Sequence, residues 1–311
     1  MKIRINEKDI KLIFFLGRYK KIKAIDCKRL YKSKDYYRKR LKVLEKAKYI
    51  KREKRIIKID IEGREMLRRF GRESYNFCRN KEYQDRIDNV TKIALLALGT
   101  KMEFTPSWEI KDKEIHTDYG KKYLGQLKYS EDETYIVYYI SEKNVSLYTK
   151  QVLRDVEMLD DKKRVIIFLE DYKYLSKTVR YFTTGKKSTQ IIVPTEQNLE
   201  LIEFFEDTYT YCIVNMIYDN REVSGSEWDK ADFVTKDDTY IVWLPFIDVE
   251  KLHRLNCLDN SEKGVTLDIL TLKENVKKVK EILDYDFNII ELDSWLEEYK
   301  ENREQYEWML F

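Results

Sequence analysis

Glycine and proline are scarce in this chain, with nine and three among 311 residues. A collagen-like, low-complexity or linker-dominated chain is excluded by that poverty alone. Histidine is nearly absent: His116 and His253 are the two copies, so a histidine-based metal cluster has too few ligands. Four cysteines, Cys27, Cys78, Cys212 and Cys257, stand far apart without a CxxC or CxH spacing. That argues against a zinc site and against a disulfide framework. No apolar run approaches eighteen residues, so no membrane-spanning helix is expected. The opening MKIRINEKDIKLIFF lacks the apolar core and cleavage site of a secretory signal. A cytoplasmic protein with no membrane partner is the expectation.

Charge is plentiful but nearly balanced, 60 Lys and Arg against 56 Asp and Glu. The balance conceals a division. Residues 1–80 hold 28 basic and 10 acidic residues, and residues 81–311 hold 32 and 46. A basic module joined to a mildly acidic body is the implied organisation. Residues 71–83, GRESYNFCRNKEY, break the periodicity between the two. The expected domains are 1–75 and 82–311.

The basic module reads as short helices and a hairpin. EKDIKLIFFLGR, residues 7–18, places Ile10, Ile13, Phe14 and Leu16 on one stripe, with Asn6 as its cap. KIKAIDCKRLY, residues 21–31, spaces Ile22, Ile25 and Leu30 as a second helix. Residues 33–47 form a third, capped by Ser33, with Tyr37, Leu41 and Leu44 inward. Its far side carries Asp35, Tyr36, Lys39, Lys42, Val43 and Lys46, with Arg38 and Arg40 on the flanks. In YIKREKRIIKID two strand-forming runs bracket a tip at Arg52-Glu53-Lys54-Arg55. Asp60 then caps a fourth helix with Ile61, Met66, Leu67 and Phe70 inward.

Three short helices and a basic hairpin predict a winged helix–turn–helix. A helix fits the major groove, and a hairpin beside it reaches flanking phosphates. Duplex DNA is the expected partner, and a solvated basic face on a protein-binding module is the alternative. The expected contacts are Ser33, Lys34, Tyr36, Arg38, Lys39, Arg40 and Lys42 on the helix, and Arg52, Lys54 and Arg55 on the hairpin.

Residues 33–50 resemble the recognition-helix stretch of the replication–relaxation family of plasmids and integrative elements. Ser33, Tyr36, Arg40-Leu41 and Leu44 carry the resemblance, with Asp60 and Gly63 at that family's cap and glycine positions. It departs at Lys48, where the family has glycine at the helix end, and at a hairpin tip without glycine. The resemblance implies an accessory DNA-binding protein of a mobile element, acting in replication, transfer or their regulation. It also implies a nuclease-like second domain.

That second domain reads as mixed α/β. DRIDNVTKIALLALG is a helix with Ile87, Val90, Ile93, Ala94, Leu95 and Leu98 apolar. MEFTPSWEI, KKYLGQLKY and TYIVYYIS are strands, VSLYTKQVLRDVEML a helix and RVIIFLE a buried strand. This is the core order of PD-(D/E)xK nucleases over residues 82–170. A metal site there needs an acid entering the second strand, and an acid and a lysine two apart on the third. Asp118 fits the first place. TYIVYYIS contains no acid, and Glu142 and Lys143 follow it as neighbours. The triplet fails, so the expectation is an inactive core, no cofactor and no catalytic residues. A metal-dependent endonuclease is one alternative. A dimeric repressor is another, with residues 82–311 holding a homodimer or protein partner.

Other motifs fail on spacing. TTGKKST at 183–189 lacks the leading glycine of a phosphate loop, Arg180 standing in its place. The 24 tyrosines fall mostly in strand and helix stripes, without the His/Arg surroundings of a nicking nucleophile. Beyond residue 170 the α/β pattern continues. YLSKTVRYF, EQNLELIEFFED, DVEKLHRLN and ENVKKVKEILD read as helices, and TYCIVNMIY, DTYIVWLPF and GVTLDIL as strands. A terminal helix runs from SWLEEYK to WMLF, packed on the domain or on a second copy. VSGSEWDKADF, 223–233, reads as a mobile loop.

Overall fold

The computed structural model describes every residue except 1–2, 34, 76–79, 111–121, 131–132, 142–144, 160–162, 180–188, 207, 209, 219–221, 260–261, 304–305 and 307–311. The chain divides into two units. The first is Met1–Lys111 with Leu124–Gln126, and the second is Asp112–Tyr123 with Leu127–Phe311. The division falls after the 71–83 break and passes through the expected 82–170 core. Asp118, Glu142, Lys143, residues 183–188 and the WMLF tail lie outside the described residues.

Unit 1 opens with α1 (Glu7–Tyr19). Asn6 and Asp9 cap it reciprocally: the Asn6 side chain accepts from the Asp9 amide at 2.9 Å, and Asp9 accepts from the Asn6 amide at 3.0 Å. Two orphan donors of the first turn are satisfied this way. Leu12, Ile13, Phe15 and Leu16 are buried, whereas Ile10 and Phe14 of the expected stripe are half-buried. The buried arc is wide because α1 meets α2 (Cys27–Tyr31), α4 (Ile61–Arg69), α5 (Lys81–Ala97) and β3 (Ile56–Ile59).

Residues 21–31 are not one helix. Lys20 takes a positive φ of 71° and turns the chain into β1 (Lys21–Lys23), where Ile22 pairs with Ile57 of β3. Helix starts only at Cys27, and Ile25 is left 51% exposed. Strand pairing with β3, 35 residues away in sequence, overrides the local spacing. α3 (Tyr36–Lys46) buries Tyr37, Leu41 and Leu44 as its periodicity predicts. β2 (Ile50–Glu53) pairs antiparallel with β3, giving the order β1-β3-β2.

α4 buries Gly63 and Leu67 and leaves Ile61 and Phe70 exposed, against the inward face expected. Asp60 makes no side-chain cap there. Its amide and that of Glu62 donate instead to the Tyr49 and Lys48 carbonyls, both at 3.0 Å. This clamp lays α4 on the chain leaving α3. A Cβ on Gly63 would meet the Tyr49 oxygen at 2.3 Å, so only glycine allows the approach. α5 follows, capped by Asn80, with Ile87, Val90, Ile93, Ala94 and Leu95 buried and Leu98 exposed. β4 (Glu103–Pro106) and the first residues of β5 (Gly125–Lys128) complete the unit.

Unit 2 holds two sheets. β6 (Thr134–Ile140), β7 (Arg164–Leu169) and β8 (Thr189–Ile192) are parallel, with α6 (Val145–Glu157) and α7 (Leu175–Val179) in their crossovers. β12 (Ile247–Asp248) closes one edge antiparallel to β8. β6 and β7 are buried almost throughout, as near-continuous apolar runs in a parallel sheet require. The second sheet has the order β14-β13-β11-β10-β9. β11 (Tyr240–Trp243), β13 (Leu267–Thr271) and β14 (Asn288–Glu291) are parallel, and α10 (Val249–Asn256) and α11 (Lys273–Ile282) connect them. β9 (Ser224–Gly225) and β10 (Phe233–Val234) add an antiparallel hairpin in the stretch read as a loop. α8 (Glu196–Glu206), α9 (Thr210–Ile217) and α12 (Asp293–Glu301) complete the unit. TYCIVNMIY is therefore the helix α9 and not a strand, with Cys212, Ile213 and Val214 buried. An apolar run of this length does not distinguish a buried strand from a buried helix.

Candidate nucleic-acid interface

The outward face of α3 carries Lys39, Lys42 and Lys46, spaced i, i+3, i+7 on one stripe opposite Tyr37, Leu41 and Leu44. All three are exposed and make no ion pair among the described residues. Arg38 flanks the stripe, its side chain 65% exposed and Asp35 no closer than 4.0 Å. Its Nε donates to the Tyr37 hydroxyl at 3.2 Å, and the guanidinium lies 5.8 Å from the centre of that ring. Lys46, expected on this outward side, and Lys48 extend the basic surface beyond the expected DNA contacts. Lys46 was detectable from its spacing to Lys39 and Lys42.

Arg40 points elsewhere. Its Nε donates to Asp9 Oδ1 at 3.2 Å, its Nη2 bonds Asp9 Oδ2, and Nη2 also reaches the Arg4 carbonyl at 3.0 Å. Asp9 is fully buried and also accepts from the Tyr31 hydroxyl at 2.7 Å. Burial and the Asp9 bond push the Tyr31 phenol far above its ordinary range, so the hydroxyl remains a donor. Arg40 thus neutralises a buried carboxylate and ties α3 to the start of α1. Its guanidinium is engaged within unit 1, unlike the ammonium groups of the open stripe.

Ser33 is also structural: its hydroxyl accepts from the Tyr36 amide at 3.2 Å and closes the turn into α3. Tyr36 is 43% exposed and its hydroxyl accepts from Asn6 Nδ2 at 3.1 Å. Its ring stands at the edge of the stripe, held over the α1 cap. Lys34 lies outside the described residues.

The hairpin tip is a two-residue turn, Lys54-Arg55, between Glu53 and Ile56. Lys54 takes φ 57° at a position where glycine is common. Arg52 Nε donates to the Lys54 carbonyl at 3.2 Å, bracing the turn. Lys54 and Arg55 are exposed and unpaired among the described residues. Glu53, expected at the tip, ends β2 and takes Lys58 at 2.5 Å and Lys51 at 3.7 Å, and Lys58 holds its carboxyl below the usual range. Glu53 thus offsets part of the strands' charge, while Lys54 and Arg55 at the tip have no carboxylate beside them among the described residues.

A second group of basic residues is internal. Arg18 reaches Glu109 at 2.8 Å and Glu103 at 2.9 Å. Lys21 reaches Asp88 at 2.7 Å. Lys20 lies 4.1 Å from the Trp108 ring centre and 4.8 Å from that of Tyr83, a desolvated cation–π arrangement. No protein-family model, curated protein or solved structure matches the chain.

Proposed function

We propose that unit 1 is a winged helix–turn–helix that binds duplex DNA, with α3 in the major groove and the β2–β3 hairpin on the flanking backbone. The observation that carries this reading is the separation of two kinds of basic residue. Arg18, Lys21 and Arg40 are spent on internal partners, whereas Lys39, Lys42, Lys46, Lys54 and Arg55 are exposed and unpaired among the described residues. Cations left without carboxylates on one helix stripe and one hairpin tip repel each other, and a polyanion relieves that repulsion. The order α1-β1-α2-α3-β2-β3 with sheet order β1-β3-β2 supports the winged reading. Lys39 and Lys42 are the base-facing candidates, and Arg38, Arg52, Lys54 and Arg55 the phosphate contacts.

The resemblance of residues 33–50 to the replication–relaxation family extends the proposal to an accessory role on a mobile element, in replication, transfer or their regulation. Unit 2 then serves assembly. β6 supports its lack of nuclease chemistry, since TYIVYYI offers no acid on either face.

Fluorescence anisotropy with a labelled duplex, titrated across salt concentrations, tests the reading. Four phosphate contacts, or six where Lys39 and Lys42 also neutralise phosphates, give log K a slope of about −4 to −5 against log salt. Triple charge reversal at Arg52, Lys54 and Arg55 weakens binding alike on unrelated sequences, whereas Lys42→Ala changes the ranking among sequences. A flat salt response, or no binding to any duplex at low salt, refutes the proposal.

A further inference from the structure

Unit 2 contains a cavity of about 380 Å³ at the N-terminal ends of the parallel strands β13 and β14. Its wall combines the rings of Trp228, Tyr285 and Phe287 with the carboxylates of Asp268, Glu262 and Asp286. We propose that this cavity binds a small organic cation, an ammonium or guanidinium compound, as a ligand of the second unit. The inference stands on unit 2 alone and is independent of DNA binding by unit 1.

The chemistry follows from what lines the space. Aromatic faces attract a desolvated cation through their quadrupoles, and a carboxylate fixes its charge. The volume lies in the range of small-molecule sites. Asp268 is the fixed point. It is 7% exposed, its Oδ2 accepts from the Tyr218 hydroxyl at 2.5 Å, and its Oδ1 accepts from Asn288 Nδ2 at 2.8 Å. Both partners are neutral donors, so the carboxylate is oriented while its charge stays uncompensated by them. Register pairing of Asp268 with Asn288 across β13 and β14 places that charge on rigid strands.

The remaining groups set the sign of the ligand. Glu262 accepts from Trp228 Nε1 at 3.1 Å and pairs with Lys230 at 2.5 Å, so that pair is locally neutral. These bonds also fix the Trp228 ring, which packs edge-on against Tyr240 at 4.8 Å. Tyr285 and Phe287 meet edge to face at 6.1 Å on the irregular segment leading into β14. With Lys230 spent on Glu262, Asp268 and Asp286 leave the wall net negative among the described residues. A phosphate or carboxylate ligand meets repulsion there, and an organic cation meets both charge and ring faces.

Isothermal titration of the full chain with choline, putrescine and arginine methyl ester tests this, with 3,3-dimethylbutan-1-ol as the neutral counterpart of choline. At least one cation is expected to bind at a single site, tenfold or more tighter than the neutral counterpart. Asp268→Asn is expected to lower that affinity tenfold or more. Asp286→Asn, on an exposed residue, is expected to lower it two- to fivefold with the fold intact, and it decides the matter if Asp268→Asn unfolds. Absence of binding by all three cations at 10 mM overturns the proposal. So does equal binding of the neutral compound, or an affinity unchanged in both variants.

Discussion

Arg40→Ala separates a structural arginine from a DNA-contacting one. In the folded chain Asp9 is fully buried and receives four bonds: from the Asn6 amide, the Tyr31 hydroxyl and two nitrogens of Arg40. Truncating Arg40 removes the sole cation among those donors. Breaking a buried ion pair from one side costs about 3–5 kcal/mol, because the other charge stays buried. Arg40 is itself 16% exposed and two neutral donors remain on Asp9, so the lower end applies, about 3 kcal/mol. Lys42→Ala, on the open stripe, changes stability by no more than about 0.5 kcal/mol. Urea titration of the full chain, followed by circular dichroism, gives both values. The double change Asp9→Asn with Arg40→Met removes both charges and is expected to recover most of the loss. In DNA binding the order reverses. Folded Arg40→Ala protein keeps its affinity within about threefold, while Lys42→Ala loses about tenfold, a 1.4 kcal/mol contact. Arg40→Ala that is as stable as Lys42→Ala, or that loses DNA affinity without losing stability, refutes the assignment.

Three further changes follow from backbone and burial. Lys48 holds φ 59° at the end of α3, so Lys48→Gly relieves the left-handed strain and, after the added unfolded-state entropy, stabilises by about 0.5 kcal/mol in urea titration. Gly63→Ala forces a methyl group onto the Tyr49 carbonyl and is expected to cost about 2–3 kcal/mol by the same method, a loss typical of overpacking. Asp248 caps α10 while buried, and desolvation raises its carboxyl from 3.8 to about 6. Between about pH 4 and pH 6 the folded state then holds more protons than the unfolded state, so this group's contribution falls as pH rises. Relative to wild type, Asp248→Asn is expected to gain about 2–3 kcal/mol between pH 4 and pH 7.5, read from denaturation midpoints at both pH values.

What the sequence made legible was whatever depends on neighbours within one turn or one strand. Tyr37, Leu41 and Leu44 repeat at helical spacing and are the buried face of α3. TYIVYYI and RVIIFL are too apolar for an exposed strand, and both are buried in a parallel sheet. What it concealed depends on partners far along the chain. β1 exists because Ile22 finds Ile57, and nothing within KIKAIDCKRLY records that pairing. β14 is a four-residue strand with exposed ends, stabilised by β13 and not by its own pattern. Arg40 looked like its neighbours Arg38 and Lys39. Its role is set by Asp9, 31 residues earlier, which reads locally as an ordinary helix-capping acid.

The same distinction governs how the charge asymmetry is used. The excess of 28 basic over 10 acidic residues in positions 1–80 suggests a far larger polyanion-binding capacity than the structure offers. Arg18, Lys21, Arg40 and Lys58 are matched with carboxylates, and Lys20 is buried against rings. Their charges shape the fold and release no counterions on binding. The cations available on α3 and the hairpin tip are Arg38, Lys39, Lys42, Lys46, Arg52, Lys54 and Arg55. Seven phosphate contacts bound the salt slope at about −6. A slope near −15, which the sequence asymmetry alone would allow, requires internal pairs to open or unit 2 to contribute cations. Removing the hairpin's three charges must then shallow the slope by about 3 units, and a smaller change places the binding surface elsewhere.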